Sequence, residues 1–155
     1  MNYVTSAGAP DDSCVFCSAL SAGDDRRSLI LRRGRHAFLI LNAFPYTTGH
    51  LMAMPIRHVA KVEEATADEL AETMTLVQES VRALNAGYTP DGFNIGMNLG
   101  RVAGAGVLGH LHTHVVPRWN GDTNFMTVVG ETRVLPEDLA VTAGRLRPIY
   151  ARLGV

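Results

Sequence analysis

Apolar residues fall in short dense runs over the first third of the chain, then change to a helical spacing. Ser28 to Arg33 (Ser-Leu-Ile-Leu-Arg-Arg) predicts a strand, with Gly34 as the turn and His36 to Leu41 as the second arm of a hairpin. Asn42 to Gly49 carries Pro45 and Gly49 and reads as a loop. His50 to Pro55 predicts a third strand. Thr66 followed by Glu69 makes a capping box. Leu70, Met74, Val77, Val81 and Leu84 then recur at steps of four and three, predicting one apolar helical stripe with Gly87 as its stop. Phe93 to Leu99 and Gly109 to Arg118 predict a fourth and a fifth strand. Pro136-Glu-Asp-Leu opens a second helix with proline at its first position, and Pro148 is expected to kink or end it. Three closely connected strands, a helix, two strands and a helix predict an α+β fold. Its core is a five-stranded antiparallel sheet with one long helix and a C-terminal helical element, the helices on one side. Residues 1–12 read as a flexible tail and 13–155 as one domain.

A length of 155 residues suits one domain with a real core. The chain is 46% hydrophobic and 19% charged, with a net charge of −1, so there is no basic footprint for duplex nucleic acid or a membrane surface. No apolar run approaches the roughly 20 residues of a spanning helix. The polar, acidic start lacks the charged-then-apolar order of a signal peptide, which points to a cytoplasmic protein. The two cysteines, Cys14 and Cys17, are spaced Cys-Val-Phe-Cys. In a reducing compartment that spacing favours metal binding or redox chemistry over a structural disulfide.

Three of the six histidines fall in five residues, His110-Leu-His112-Thr-His114. On an extended strand alternate side chains share a face, so the three imidazoles are expected in one row. Such a row suits a polar surface, a metal site or nucleophilic catalysis. Histidine alone titrates near neutral pH without help and can attack phosphorus as a neutral base.

The run His110-Leu-His112-Thr-His114-Val-Val resembles the His-φ-His-φ-His-φ-φ signature of the histidine triad (HIT) superfamily of nucleotide hydrolases and transferases. Gly49-His50, Pro55-Ile-Arg-His58 and Asn98, twelve residues before the triad, resemble the same family. The string from Ala103 to Met126, with Trp119-Asn-Gly-Asp-Thr-Asn-Phe, is similar to the branch holding diadenosine tetraphosphate phosphorylases and ATP adenylyltransferase-like proteins. Hint-like phosphoramidases usually carry Gly-Gln-Ser before the triad. Here the residues are Gly104-Ala105-Gly106 and Val107, a departure that removes a serine hydroxyl.

The resemblance implies a HIT-like fold and a role for each of these residues. His112 is the expected nucleophile, forming a nucleotidyl-imidazole intermediate. His114 is expected at the α-phosphate oxygens and the leaving or entering group. His50 is either a partner of the triad or a satisfied buried histidine. Asn98 and the backbone of Gly104 and Gly106 are expected at the phosphates, and Asn42 at the ribose, where a turn asparagine is the alternative. Phe38 and Ile40 either flank the base or belong to the core. Arg118 is expected to bind inorganic phosphate and Trp119 to stack on a base, with Asp122, Thr123 and Asn124 beside them. Cys14, Cys17, His58 and His110 are the implied ligands of a structural zinc, a set that suits a tetrahedral site.

The implied function is phosphorolysis of diadenosine tetraphosphate to ATP and ADP by a homodimer or larger homo-oligomer. Inorganic phosphate is the acceptor. The chemistry itself needs no metal, and magnesium is admitted as a companion of the polyphosphate. The alternatives are a Hint-like or Fhit-like hydrolase and a non-catalytic nucleotide-binding module.

Overall fold

The computed structural model describes residues 13–123 and 135–153. The expected tail, 1–12, and Asn124 with the extension to Met126 lie outside the described residues. Two central strands set the architecture. Every residue of β2 (Ala37–Leu41) and β3 (Leu51–Pro55) is buried, so both faces of the sheet are covered. Alternation divides their side chains. Leu39, Leu41, Leu51 and Ala53 join one apolar cluster, while Phe38, Ile40, Met52 and Met54 join another. β1 (Ile30–Arg33), β4 (Gly92–Met97) and β5 (Thr113–Arg118) complete a five-stranded sheet in the order β1-β2-β3-β5-β4, with every neighbouring pair antiparallel.

The first cluster is capped by α2 (Ala67–Tyr88) and α3 (Leu139–Arg152), through Leu76, Val77, Leu84, Leu146 and Ile149. The second is capped by α1 (Val15–Ser21), which contributes Phe16 and Cys17. The expectation of helices on one side therefore holds for α2 and α3 only. Nothing in the local pattern announces α1. It has seven residues, its N-cap residue Cys14 makes no side-chain cap, and so short a helix depends on tertiary packing.

Helix α2 begins as expected: Thr66 accepts from the amide of Glu69 while the Glu69 carboxylate accepts from the amide of Thr66. Its buried face differs from the predicted stripe. Met74 is 49% exposed, and the buried positions include Glu69, Thr73, Ser80 and Glu79 beside Leu76, Val77 and Leu84. A count of apolar residues misses this face because several of its polar members are satisfied internally. Glu69 pairs with Arg57 at 2.8 Å, Glu79 with Arg32 at 3.2 Å, and the Ser80 hydroxyl donates to the Leu76 carbonyl. Gly87 does not stop the helix, which runs on to Tyr88 and closes at Thr89 in the left-handed region. A Cβ at Gly87 would lie 3.1 Å from Cδ1 of Ile149, so this glycine serves the close approach of α3.

Helix α3 starts at Leu139, later than predicted, because Asp138 supplies the cap by accepting from the amides of Ala140 and Val141. Pro148 neither ends nor caps it. Its ring lies on the exposed side, the residue four back is the exposed Gly144, and the buried Ile149 and Tyr150 hold the turn beyond it. The strand edges are also trimmed: β1 begins at Ile30 because Leu29 has φ 62°, and β4 ends at Met97.

The Glu69 carboxylate ties the start of α2 to Arg57, which also donates to the Glu64 carbonyl. The hydrogen bonds from Arg57 hold its pKa down to about 2, against burial, which raises it. Glu69→Ala is expected to cost about 2–3 kcal/mol, from a lost cap and a half-buried unpaired guanidinium. Urea denaturation at pH 7 checks this. A carboxylate with a depressed native pKa stabilises above its unfolded value, so this contribution fades as pH falls from about 4.5 toward about 2. The variant's deficit should shrink over the same range.

Candidate active site

Gly49 shapes the entry to β3. Its φ is 80°, and a Cβ there would meet Cδ2 of Leu84 at 2.8 Å. The turn it closes places His50 in the interior with no exposure. Met52 of β3 is paired in register with His114 of β5, and Gly96 of β4 flanks His114 on the other side. Strand β5 begins at Thr113, so the predicted row of three histidines on one strand is not what the chain forms. His110 and His112 lie in the segment just before the strand, where the amide of Leu111 donates to the carbonyl of Val59. The rings still cluster. His112 and His114 are 5.0 Å apart, and His50 and His114 are 5.1 Å apart.

The hydrogen bonds fix the protons of these rings. A carbonyl can only accept, so His112 Nδ1–H donates to the His110 carbonyl at 2.8 Å, leaving the Nε2 lone pair of His112 without a proton. The amide of Tyr46 donates to Nδ1 of His50 at 3.1 Å, so His50 carries its proton on Nε2 and donates it to Nδ1 of His114 at 2.9 Å. His114 must then hold its own proton on Nε2. Burial lowers the pKa of His50 to about 4, with the neighbouring His114 and His112 acting in the same sense. Burial and His112 also lower that of His114. His50 is thus neutral at pH 7, wholly buried, hydrogen-bonded at both ring nitrogens and joined to His114, so both of its expected readings describe its setting.

Two clefts meet at Tyr46 and His114. The first, about 590 Å³, is floored by Val15, Phe16, Ile40 and Met52 and bordered by Asn42, Phe44, Gly104, Gly106 and His112. The second, about 480 Å³, is lined by Asn94, Asn98, Arg118 and Asp122. Asn98 and the two glycines thus line different clefts, linked by a long 3.5 Å bond from the Asn98 amide to the Gly104 carbonyl. Asn42 reaches Nδ1 of His50 at 3.3 Å and accepts from the amide of Phe44, so it orders the loop as well as bordering the cleft. Ile40 lines the first cleft, whereas Phe38 is wholly buried beside His110.

Arg118 lines the second cleft but is already engaged, and Trp119 is not among its neighbours there. The Arg118 fork is taken by Asp122, with bonds of 2.7 and 2.8 Å, and its remaining donors reach Asn94 and Thr123. Trp119 is not among the described residues lining either cleft. Phe16 and Tyr46 are site residues that pattern reading missed. Tyr46 stacks on His114 at 5.9 Å, and Phe16 lies 5.4 Å from the His112 ring. A signal for Phe16 existed: it lies between the two cysteines.

Behind the histidines, Cys14, Cys17, His58 and His110 gather with their ligand atoms within 4.8 Å of one another, all four buried. Nδ1 of His110 is 3.5 Å from Sγ of Cys14 and 3.7 Å from Sγ of Cys17, and Nδ1 of His58 is 3.4 Å from Sγ of Cys17. Bond lengths of ~2.3 Å to sulfur and ~2.05 Å to nitrogen in a tetrahedron put neighbouring donors about 3.6 Å apart. The set therefore fits a four-coordinate metal. His110 is also oriented for it: Nε2–H donates to the Pro55 carbonyl at 2.8 Å, which leaves Nδ1 as the ligand atom.

Comparison with known proteins agrees with this geometry. The family model described as HIT domain matches residues 26–121. The chain is 43% identical over 128 residues to a protein of Mycobacterium tuberculosis (strain H37Rv) named AP-4-A phosphorylase; the match covers 83% of this chain and 66% of that protein, just under two thirds of its length. It is 33% identical over 110 residues to an uncharacterized HIT-like protein of Methanocaldococcus jannaschii, covering 70% of this chain and 81% of that one. Among solved structures, a Zn-bound histidine triad family protein from Mycobacterium smegmatis superposes with a TM-score of 0.74 at 30% identity, covering 92% of this chain and 96% of that one.

Proposed function

This chain belongs to the HIT domain family, and from that premise we propose that it is a nucleotidyl transferase acting on dinucleoside polyphosphates. One observation carries the reading. The Nδ1–H bond of His112 to the His110 carbonyl leaves an unprotonated Nε2 on the wall of the first cleft. A neutral imidazole of this kind needs no separate base to attack phosphorus. The relative named AP-4-A phosphorylase supports diadenosine tetraphosphate as the substrate.

In the proposed reaction Nε2 of His112 attacks the α-phosphorus. A P–N bond forms, the P–O bond to the bridging oxygen breaks, and ATP leaves. Nε2–H of His114 donates a hydrogen bond to the departing oxygen, which leaves as a phosphate anion of ATP, so His114 stays neutral throughout. An oxygen of inorganic phosphate then displaces the imidazole, giving ADP and restoring His112. The first cleft holds the transferred nucleoside, with Ile40 under the base and Asn42 at the ribose. Gly104 and Gly106 allow backbone amides close to the phosphates. Magnesium enters only with the polyphosphate. Cys14, Cys17, His58 and His110 hold zinc as a closed structural site, which orders the segment carrying the triad.

The occupied fork of Arg118 favours a second reading, a Fhit-like or Hint-like hydrolase in which water replaces phosphate. Mass spectrometry of products from diadenosine tetraphosphate separates the two, with ¹⁸O supplied in phosphate and in water in turn. Phosphorolysis puts label from phosphate into ADP. Label from water appearing in AMP, with no ADP formed from phosphate, overturns the transferase reading.

A further inference from the structure

The metal-binding turn and the first cleft are built from the same few residues. Cys14 and Cys17 face His58 and His110, while Val15 and Phe16 between them face the cleft. Phe16 is 5% exposed. Its ring meets His110 edge-on at 5.5 Å and lies tilted against His112 at 5.4 Å. His110 thus touches three parts of the machinery at once. Its ring packs on Phe16, its Nδ1 faces both cysteines, and its backbone carbonyl receives the Nδ1 proton of His112.

We infer that Phe16 is a positioning residue for His112, and that anchoring of the Cys14–Cys17 turn on His58 and His110 holds it in place. Among the described residues the His112 ring has one hydrogen bond to fix its rotation about χ2, and that bond is to a backbone carbonyl two residues away. A single bond leaves the ring free to tilt, and a tilted ring either loses the bond or exchanges its tautomer. Phe16 on one contact and His114 on another remove that freedom. Phe16 has no freedom of its own to move away. It belongs to a seven-residue helix without a side-chain cap, held to the rest of the protein by the two cysteines, the buried cluster around them and a bond from Arg33 to the Leu20 carbonyl. The cluster therefore acts on the nucleophile through Phe16, without itself touching substrate. The transferase part of this role rests on the reaction proposed above, but the resting state of His112 does not.

The test uses the full chain carrying ¹⁵N-labelled histidine, with zinc content measured for every sample. NMR of the resting wild type should show His112 as one tautomer, protonated at Nδ1. Phe16→Ala, at unchanged zinc content, should show a substantial Nε2–H population. Its kcat should fall about tenfold or more with KM changed less, since a small misplacement of a reacting group acts on rate. Phe16→Leu, which restores bulk, should lie between the two. Wild type stripped by a chelator should show the same tautomer mixing, reversed by added zinc. A single tautomer and a wild-type kcat in Phe16→Ala would overturn the inference. If Phe16→Ala does not fold, Phe16→Leu and the stripped wild type decide it by the same criteria. Mixing of tautomers in a chain that turns out to transfer no nucleotide leaves the positioning role standing and removes only the reaction.

Discussion

Replacing His112 with alanine is expected to lower nucleotidyl transfer at least about a thousandfold, because the proposed intermediate is then impossible. The protein should still fold. Among the described residues the His112 ring makes one hydrogen bond, to a backbone carbonyl, and it sits at the cleft wall, 5% exposed. Truncation there costs about 1–3 kcal/mol, well within what a domain of this size tolerates. Two measurements check the expectation together. A rapid alkaline quench of the wild type during turnover should trap a nucleotide on His112, since a phosphorus–imidazole bond survives base and is lost in acid. Circular dichroism should show a folded variant that carries none. A variant that is folded and turns over at the wild-type rate would remove His112 from the chemistry and point to a contaminating activity laid over a non-catalytic nucleotide-binding module.

Loss of the metal cluster is the change expected to harm the fold most. Cys17 sits between His58 and His110, at 3.4 and 3.7 Å from their Nδ1 atoms. Cys17→Ala leaves three candidate ligands, and α1 keeps only its apolar packing, Cys14 and the Arg33 bond to the Leu20 carbonyl. A structural site contributes its binding free energy to folding, so a loss on the order of 3–5 kcal/mol is expected. For a chain of this length that lowers the melting temperature by about 10–15 °C. Excess chelator should bring the wild type down to the same level, and elemental analysis should find about one zinc per wild-type chain. A wild type that melts unchanged in chelator, or a Cys17→Ala protein that melts with it, would show that the four side chains gather without a metal.

Much of this was legible from residue order alone. The Cys14–Cys17 spacing points to a metal by itself, but it takes the resemblance to the family to join the cysteines to His58 and to the first histidine of the triad. The capping box of α2 is equally plain, because its chemistry is local. What stayed hidden depends on contacts between distant segments. The face that α2 buries carries Glu69 and Glu79, whose arginine partners lie on other elements. Helix α1 has no pattern of its own. Arg118 looks available until Asp122 folds back four residues to occupy it. Pro148 follows the helix only because its missing bond faces outward at Gly144. Even the triad, the strongest sequence signal, misleads about its setting: alternate spacing predicts a strand, but the first two histidines precede it, and the first turns to the cysteines.

The chain of bonds from the Tyr46 amide through His50 to His114 has a direction. It starts at a peptide N–H, a group that neither gives up nor takes on a proton at neutral pH. The interior end of this relay is thus a blind alley for proton conduction. Any proton that a departing group takes up therefore comes from the open side, from water or an incoming acceptor, so proton supply and product escape share one doorway.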